Sequence, residues 1–140
     1  MHQPLQALVV DDNRDFADSF AEVLNAMDCE TEVAYDVISA LHSAVRRRPD
    51  IVFLDLALGQ ENGSQVLSAL RRMYKDDEQL TVACLTGHVS FETELACRKA
   101  GFDLFLMKPV SFDRVRDALT GCRVLAAQAE AMGEPGSERP

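Results

Sequence analysis

The sequence predicts an α/β fold: one domain in which five strands alternate with five helices around a doubly wound, five-stranded parallel sheet. Three observations carry that prediction. Short apolar runs recur along the chain, and longer stretches with helical spacing separate them. The 140 residues are 47% hydrophobic and 26% charged, an ordinary globular composition long enough to bury one core.

Leu5 to Val10 is the first run and reads as a buried strand. Phe16, Phe20, Val23, Leu24 and Met27 then share one face of a helix spanning Asp15 to Met27. Glu30 to Tyr35 alternates polar and less polar residues, as an edge strand does. Asp36 is placed to cap a second helix carrying Ile38, Leu41 and Val45. The Arg46-Arg47-Arg48 run that follows suits the negative end of that helix dipole as a solvated turn.

Ile51 to Leu54 is a third strand, apolar throughout, followed by a loop over residues 57–63 in which Asn62 and Gln65 resemble a capping pair. The third helix presents Val66, Leu67, Leu70 and Met73. Leu80 to Leu85 is the fourth strand. Ser90 is placed to cap a fourth helix with a thin apolar face of Phe91, Leu95 and Ala96. Phe102 to Met107 is the fifth strand, and Ser111 starts a helix carrying Phe112, Val115, Leu119 and Cys122. Periodicity ends near residue 126, so the domain is set at 1–126 and residues 127–140 read as a flexible tail or linker stub.

Charge narrows the function classes. With 14 basic against 23 acidic residues the net charge is −9, which disfavours binding to nucleic acid or to an anionic membrane. No apolar stretch approaches the roughly 20 residues that span a bilayer. Met1-His2-Gln3-Pro4 has no basic segment before an apolar run, so no export signal is expected and the reading is cytoplasmic. Cys29, Cys84, Cys97 and Cys122 form no C-x-x-C pair and read as small apolar fillers.

In an open α/β sheet, chemistry gathers beyond the carboxyl ends of the strands. Asp11, Asp12 and Asn13 follow the first strand, Asp55 the third, Thr86, Gly87 and His88 the fourth, and Lys108 and Pro109 the fifth. Carboxylates converging on one rim repel each other and need a cation or protons. Mg²⁺ suits an oxygen donor set that leaves room for phosphate oxygens, with Mn²⁺ the alternative ion. A lysine supplies a second positive charge for phosphate, a threonine a hydroxyl, and an aspartate is itself a nucleophile for phosphoryl transfer.

Val9-Val10-Asp11-Asp12-Asn13, Ile51-Val52-Phe53-Leu54-Asp55-Leu56, Leu85-Thr86-Gly87 and Met107-Lys108-Pro109, in this order and spacing, resemble the response-regulator receiver domains of two-component signalling. Asp12, Asp55, Thr86 and Lys108 are separated in turn by 43, 31 and 22 positions. The resemblance covers about residues 5–125. It implies a flavodoxin-like (βα)5 sheet of strand order 2-1-3-4-5.

It further implies that Asp55 accepts a phosphoryl group from a histidine kinase or histidine phosphotransferase. Asp11, Asp12, Asp55 and the backbone carbonyl of Ala57 would hold the metal. Lys108 would contact phosphoryl oxygens, and Thr86 and Phe105 would switch together. A surface of the fourth helix, fifth strand and fifth helix would then be read by a partner or by a second copy of the chain. The Lys108–Pro109 peptide is often cis in such domains. Ala57 and His88 occupy positions that tune phosphoryl lifetime, Phe105 stands where many members have Tyr, and Gly59 where many have Pro.

Taken singly, these residues have ordinary explanations: Asp11 or Asp12 as a helix cap, Lys108 and His88 as solvated side chains, Phe105 as filler. Their joint spacing sets those aside. Three other functions fit these residues less well. A small aspartyl-phosphate hydrolase wants Asp-x-Asp after the first strand, and Asn13 breaks that spacing. A flavin carrier wants a hydroxyl- and glycine-rich phosphate loop where Asp11-Asp12 stand. A degenerate receiver would lack part of the acidic set. The expectation is therefore a signalling domain and not an enzyme, acting as a stand-alone regulator or relay receiver. The alternative is a piece of a hybrid kinase or of a longer regulator.

Overall fold

The computed structural model describes residues 3–58, 61–74, 79–87 and 90–137. In chain order the elements are β1 (Leu5–Val10), α1 (Arg14–Ala26), β2 (Cys29–Ala34), α2 (Val37–Arg46), β3 (Ile51–Asp55), β4 (Ala57–Leu58), β5 (Glu61–Asn62), α3 (Ser64–Met73), β6 (Thr81–Thr86), α4 (Phe91–Ala100), β7 (Leu104–Met107) and α5 (Phe112–Ser137). Five parallel strands form one sheet in the order β2-β1-β3-β6-β7. Counting only those five, this is the 2-1-3-4-5 order expected of the family. The short β4 and β5 form a separate antiparallel hairpin after β3.

Side-chain alternation along the strands builds two core layers. Val9, Phe53, Ala83, Leu85 and Leu106 face α1 and α5, meeting Phe20, Leu24, Val115 and Leu119. Leu8, Val10, Val52, Leu54, Val82 and Cys84 face the other side, meeting Ala40, Ala44, Val66, Leu67, Leu70 and Cys97. The central β1, β3 and β6 are buried almost throughout, which is why their sequences are dominated by apolar residues. β2 lies at an edge with only its end residues buried.

Three helix starts follow local chemistry. Asn13, Asp36 and Ser90 each accept a backbone N–H three residues on, capping α1, α2 and α4. Gly101 closes α4 in the left-handed region at φ 111°.

Several expectations are corrected. Ile38 and Val45 are exposed, and α2 buries Ala40, Ser43 and Ala44 instead. Small side chains let that helix lie close to the sheet. Phe91 and Leu95 of α4 are exposed and Ala96 lies outside the core, the one buried side chain being Cys97. Met73 is also exposed. The cap of α3 is Gly63, with no side-chain cap bond; the Asn62 side chain, half of the expected capping pair, lies outside the described residues. The arginine run is exposed, as expected of a solvated turn, and makes surface contacts there: Arg46 and Arg47 pair with Glu32 and Glu30 on β2, and Arg48 lies over the Tyr74 ring.

α5 continues to Ser137, past the end of its apolar periodicity. Residues 126–132 (Ala-Gln-Ala-Glu-Ala-Met, opened by a further Ala) are strong helix formers, and local propensity favours the helix that far. All four cysteines are buried free thiols, and burial pushes those of Cys29 and Cys84 above the usual range and that of Cys122 to about 11. No helix among the described residues is long and apolar enough to cross a membrane.

Candidate functional site

Parallel strands deliver their carboxyl ends to one rim. β1 ends into Asp11 and Asp12, β3 ends on Asp55, β6 on Thr86, and β7 is followed by Lys108. Carboxylate oxygens of Asp11, Asp12 and Asp55 lie within 4.8 Å of one another. Residues 97 positions apart meet here, because Lys108 Nζ donates to Asp11 Oδ2 at 2.6 Å. The same ammonium stands 3.6 Å from Asp55 Oδ2.

Backbone geometry fixes these groups. Asp11 is fully buried, and its Oδ1 accepts the Asn13 N–H at 2.9 Å. Asn13 in turn caps α1 through the Phe16 N–H at 3.1 Å. Asp55 is buried, and its Oδ1 accepts the Ala57 N–H at 3.2 Å. The Lys108 N–H donates to the Thr86 carbonyl at 2.8 Å, tying β7 to β6 where both reach the rim. The Lys108–Pro109 peptide is cis, as the resemblance implied. Gly63 closes the loop after β3: its N–H donates to the Leu56 carbonyl at 2.9 Å. A Cβ at that position would stand 2.3 Å from the Asp55 carbonyl oxygen, so only glycine fits without displacing the strand end.

The electrostatics follow from these contacts. Burial first, and the Asp11 charge second, push the Asp55 carboxyl from 3.8 up to about 6. The Ala57 N–H and the Lys108 charge pull the other way. Lys108 sets one positive charge against three carboxylates, so the cluster carries excess negative charge at neutral pH. An all-oxygen donor set with excess charge fits a hard divalent cation of the Mg²⁺ type.

The structure thus brings Asp11, Asp12, Asp55 and Lys108 into one cluster. Thr86 is buried at the adjacent strand end. Phe105 is half-buried against the α4-side core layer, its backbone paired with Cys84 on β6. Thr86, two residues past Cys84, faces that same side by strand alternation. Ala57 places its N–H at Asp55, a contact that residue-type reasoning did not find because every residue but proline carries that donor. Gly59 and His88 lie outside the described residues. Phe16, read from the sequence only as a helix-face residue, has its ring centroid 4.4 Å from Lys108 Nζ.

Comparison with known proteins agrees with this geometry. Residues 7–120 match the response regulator receiver domain family. A response regulator receiver protein of Anaeromyxobacter sp. strain Fw109-5 is 34% identical over 110 residues, covering 79% of this chain and 45% of that protein. The transcriptional regulatory protein PrrA of Mycobacterium tuberculosis is 36% identical over 104 residues, covering 74% and 43%. The chain therefore spans less than half the length of these curated relatives. Among solved structures, the receiver domain of NtrX from Brucella abortus superposes with a TM-score of 0.73 at 33% identity, covering 86% of this chain and 98% of that one. A CheY-like receiver domain protein from Methanospirillum hungatei JF-1 shares the fold, with a TM-score of 0.78 at 21% identity over 90% and 99% of the two chains.

Proposed function

The chain belongs to the response regulator receiver domain family of two-component systems, and on that premise we propose that Asp55 is its phosphoryl acceptor. The observation that carries the reading is the Asp11, Asp12 and Asp55 cluster with Lys108 at its mouth. A carboxylate oxygen of Asp55 attacks the phosphorus of a phosphohistidine on a kinase or phosphotransferase. The P–N bond breaks, its electron pair returns to the imidazole, and an acyl phosphate remains on Asp55. Asp11, Asp12, Asp55 and the Ala57 carbonyl would hold Mg²⁺, or Mn²⁺ in its place, which would supply positive charge to the phosphoryl oxygens.

Lys108 adds a second positive charge, and its 3.6 Å distance from Asp55 suits it to follow a phosphoryl group built there. Thr86 offers a hydroxyl to that group, and Phe105 on the same sheet face moves with it. Without a phenolic oxygen, Phe105 holds its altered position by packing alone. Ala57 has no polar side chain with which to guide a hydrolytic water, and with His88 it sets the lifetime of the acyl phosphate.

The output surface is α4, β7 and α5. Phe91, Met107 and Phe112 there are 80%, 52% and 59% exposed, an apolar presentation suited to a protein partner or to a second copy of the chain. The domain is a switch rather than an enzyme acting on a separate substrate. A phosphohistidine donor of the kinase type places the proposed reaction in the cytoplasm.

Mass spectrometry after incubation with Mg²⁺ and acetyl phosphate tests the assignment. The expected result is a gain of one phosphoryl mass, absent from Asp55→Asn and prevented by a chelator. No gain, with steady hydrolysis of a phosphate ester, would instead identify a hydrolase.

A further inference from the structure

Lys108 has an aromatic neighbour as well as its acidic ones. Its ammonium lies 4.4 Å from the centroid of the Phe16 ring, close enough for the ring face to attract it. Phe16 is itself held: its ring stacks on Phe20 with centroids 5.4 Å apart, and Phe20 meets Phe53 edge to face at 5.1 Å. Phe53 lies in β3 two residues before Asp55. An aromatic column therefore runs from the core beneath Asp55 up to the lysine, and the half-buried Phe16 is its outer end.

The column matters because the other anchor of Lys108 is shared. Asp11 Oδ2, 2.6 Å from the ammonium, belongs to the acidic cluster. Any divalent cation taken by that cluster competes for Asp11 and repels the ammonium. The Phe16 ring carries no net charge and lies outside that competition.

We infer that Phe16 is a positioning residue: its ring face keeps the Lys108 ammonium at the mouth of the site when a divalent cation engages Asp11. The inference rests on the phosphoacceptor reading for its kinetic consequence, but not for the placement of Lys108. It goes beyond the four charged residues because it gives a neutral side chain on α1 a part in the reaction.

Two measurements on the full chain separate the outcomes. The first is the rate of Asp55 phosphorylation by acetyl phosphate at saturating Mg²⁺. Pentafluorophenylalanine at position 16 keeps the ring's shape but reverses the charge on its face, and Phe16→Leu keeps apolar bulk without a ring. Both are expected to slow the reaction roughly three- to tenfold, whereas Phe16→Tyr stays near wild type. A pentafluorophenylalanine chain as fast as a phosphorylated wild type overturns the inference and leaves the acceptor reading standing.

The second measurement is the NMR shift of the Lys108 ε-methylene protons. Ring current moves them upfield in wild type, the displacement persists in Mg²⁺, and Phe16→Leu abolishes it. Return of those signals to ordinary positions on adding Mg²⁺ to wild type overturns the inference. If the wild type gains no phosphoryl mass, the acceptor reading falls, and the ring-current shift alone decides where Lys108 is held.

Discussion

Aspartates sit at both ends of this sheet, and they do opposite work. At the amino end, Asp50 Oδ2 accepts the Gln6 N–H of β1 at 2.8 Å. Asp103 Oδ2 accepts the Val82 N–H of β6 at 2.8 Å and the Arg71 guanidinium at the same distance. Arg71 also donates to the Leu80 and Gly101 carbonyls. These carboxylates accept strand N–H groups at the sheet end, and the Asp103 charge is paired with Arg71. At the carboxyl end, Asp11, Asp12 and Asp55 face one another with a single lysine between them. The same side chain is a structural acceptor where it meets strand N–H groups and a reactive group where three carboxylates crowd together. Crowding of like charge, not residue type, separates the two roles.

Four substitutions sharpen or break that comparison. The largest effect is expected at Gly63, where a Cβ would meet the Asp55 carbonyl at 2.3 Å. Gly63→Ala should lower stability by about 3 kcal/mol, read by urea unfolding, and should weaken Mg²⁺ binding because the end of β3 has to move. Arg71→Ala at the opposite end should cost about 2–3 kcal/mol through lost charge-assisted hydrogen bonds, with Mg²⁺ affinity unchanged. A change in affinity there would mean the two ends are not independent.

Asp55→Asn should do the reverse and stabilise the metal-free chain by about 2 kcal/mol at pH 7.5. The sign follows from the raised carboxyl. A folded-state value of about 6 against an ordinary 3.8 means that the folded protein binds this proton more tightly than the unfolded chain does. The ionised carboxylate therefore destabilises the fold fully above pH 6, progressively less between pH 6 and 4, and not at all below. The gain in Asp55→Asn should fade over that window, as thermal melts across pH would show. Asp50→Ala is the smallest, about 1–2 kcal/mol destabilising from one unpaired strand N–H, with no dependence on Mg²⁺.

Much of this was legible in the sequence. The apolar runs gave the strands because parallel strands buried on both faces leave no room for polar residues, and Asp11, Asp12, Asp55, Thr86 and Lys108 follow those runs directly. Strand order came only with the family resemblance, since neither spacing nor hydropathy says which strands are neighbours.

Helix faces were less legible. Large apolar residues drew the reading of α2 towards Ile38 and Val45, whereas Ala40, Ser43 and Ala44 are what the close approach to the sheet admits. Cys97 anchors α4, yet cysteine is a weak hydrophobic signal next to Phe91 and Leu95. The Ala57 N–H on Asp55 and the Phe16 ring beside Lys108 had no signal at all: one is backbone, the other joins residues far apart in the chain.

The central claim is that the carboxyl-end carboxylates are short of positive charge until a divalent cation joins them. Titration of the Asp55 side-chain carboxyl by carbon NMR, with and without Mg²⁺, measures this directly. A midpoint of about 6 in the metal-free protein is predicted, falling well below 4 at saturating Mg²⁺. A midpoint near 3.8 that Mg²⁺ leaves in place would contradict it.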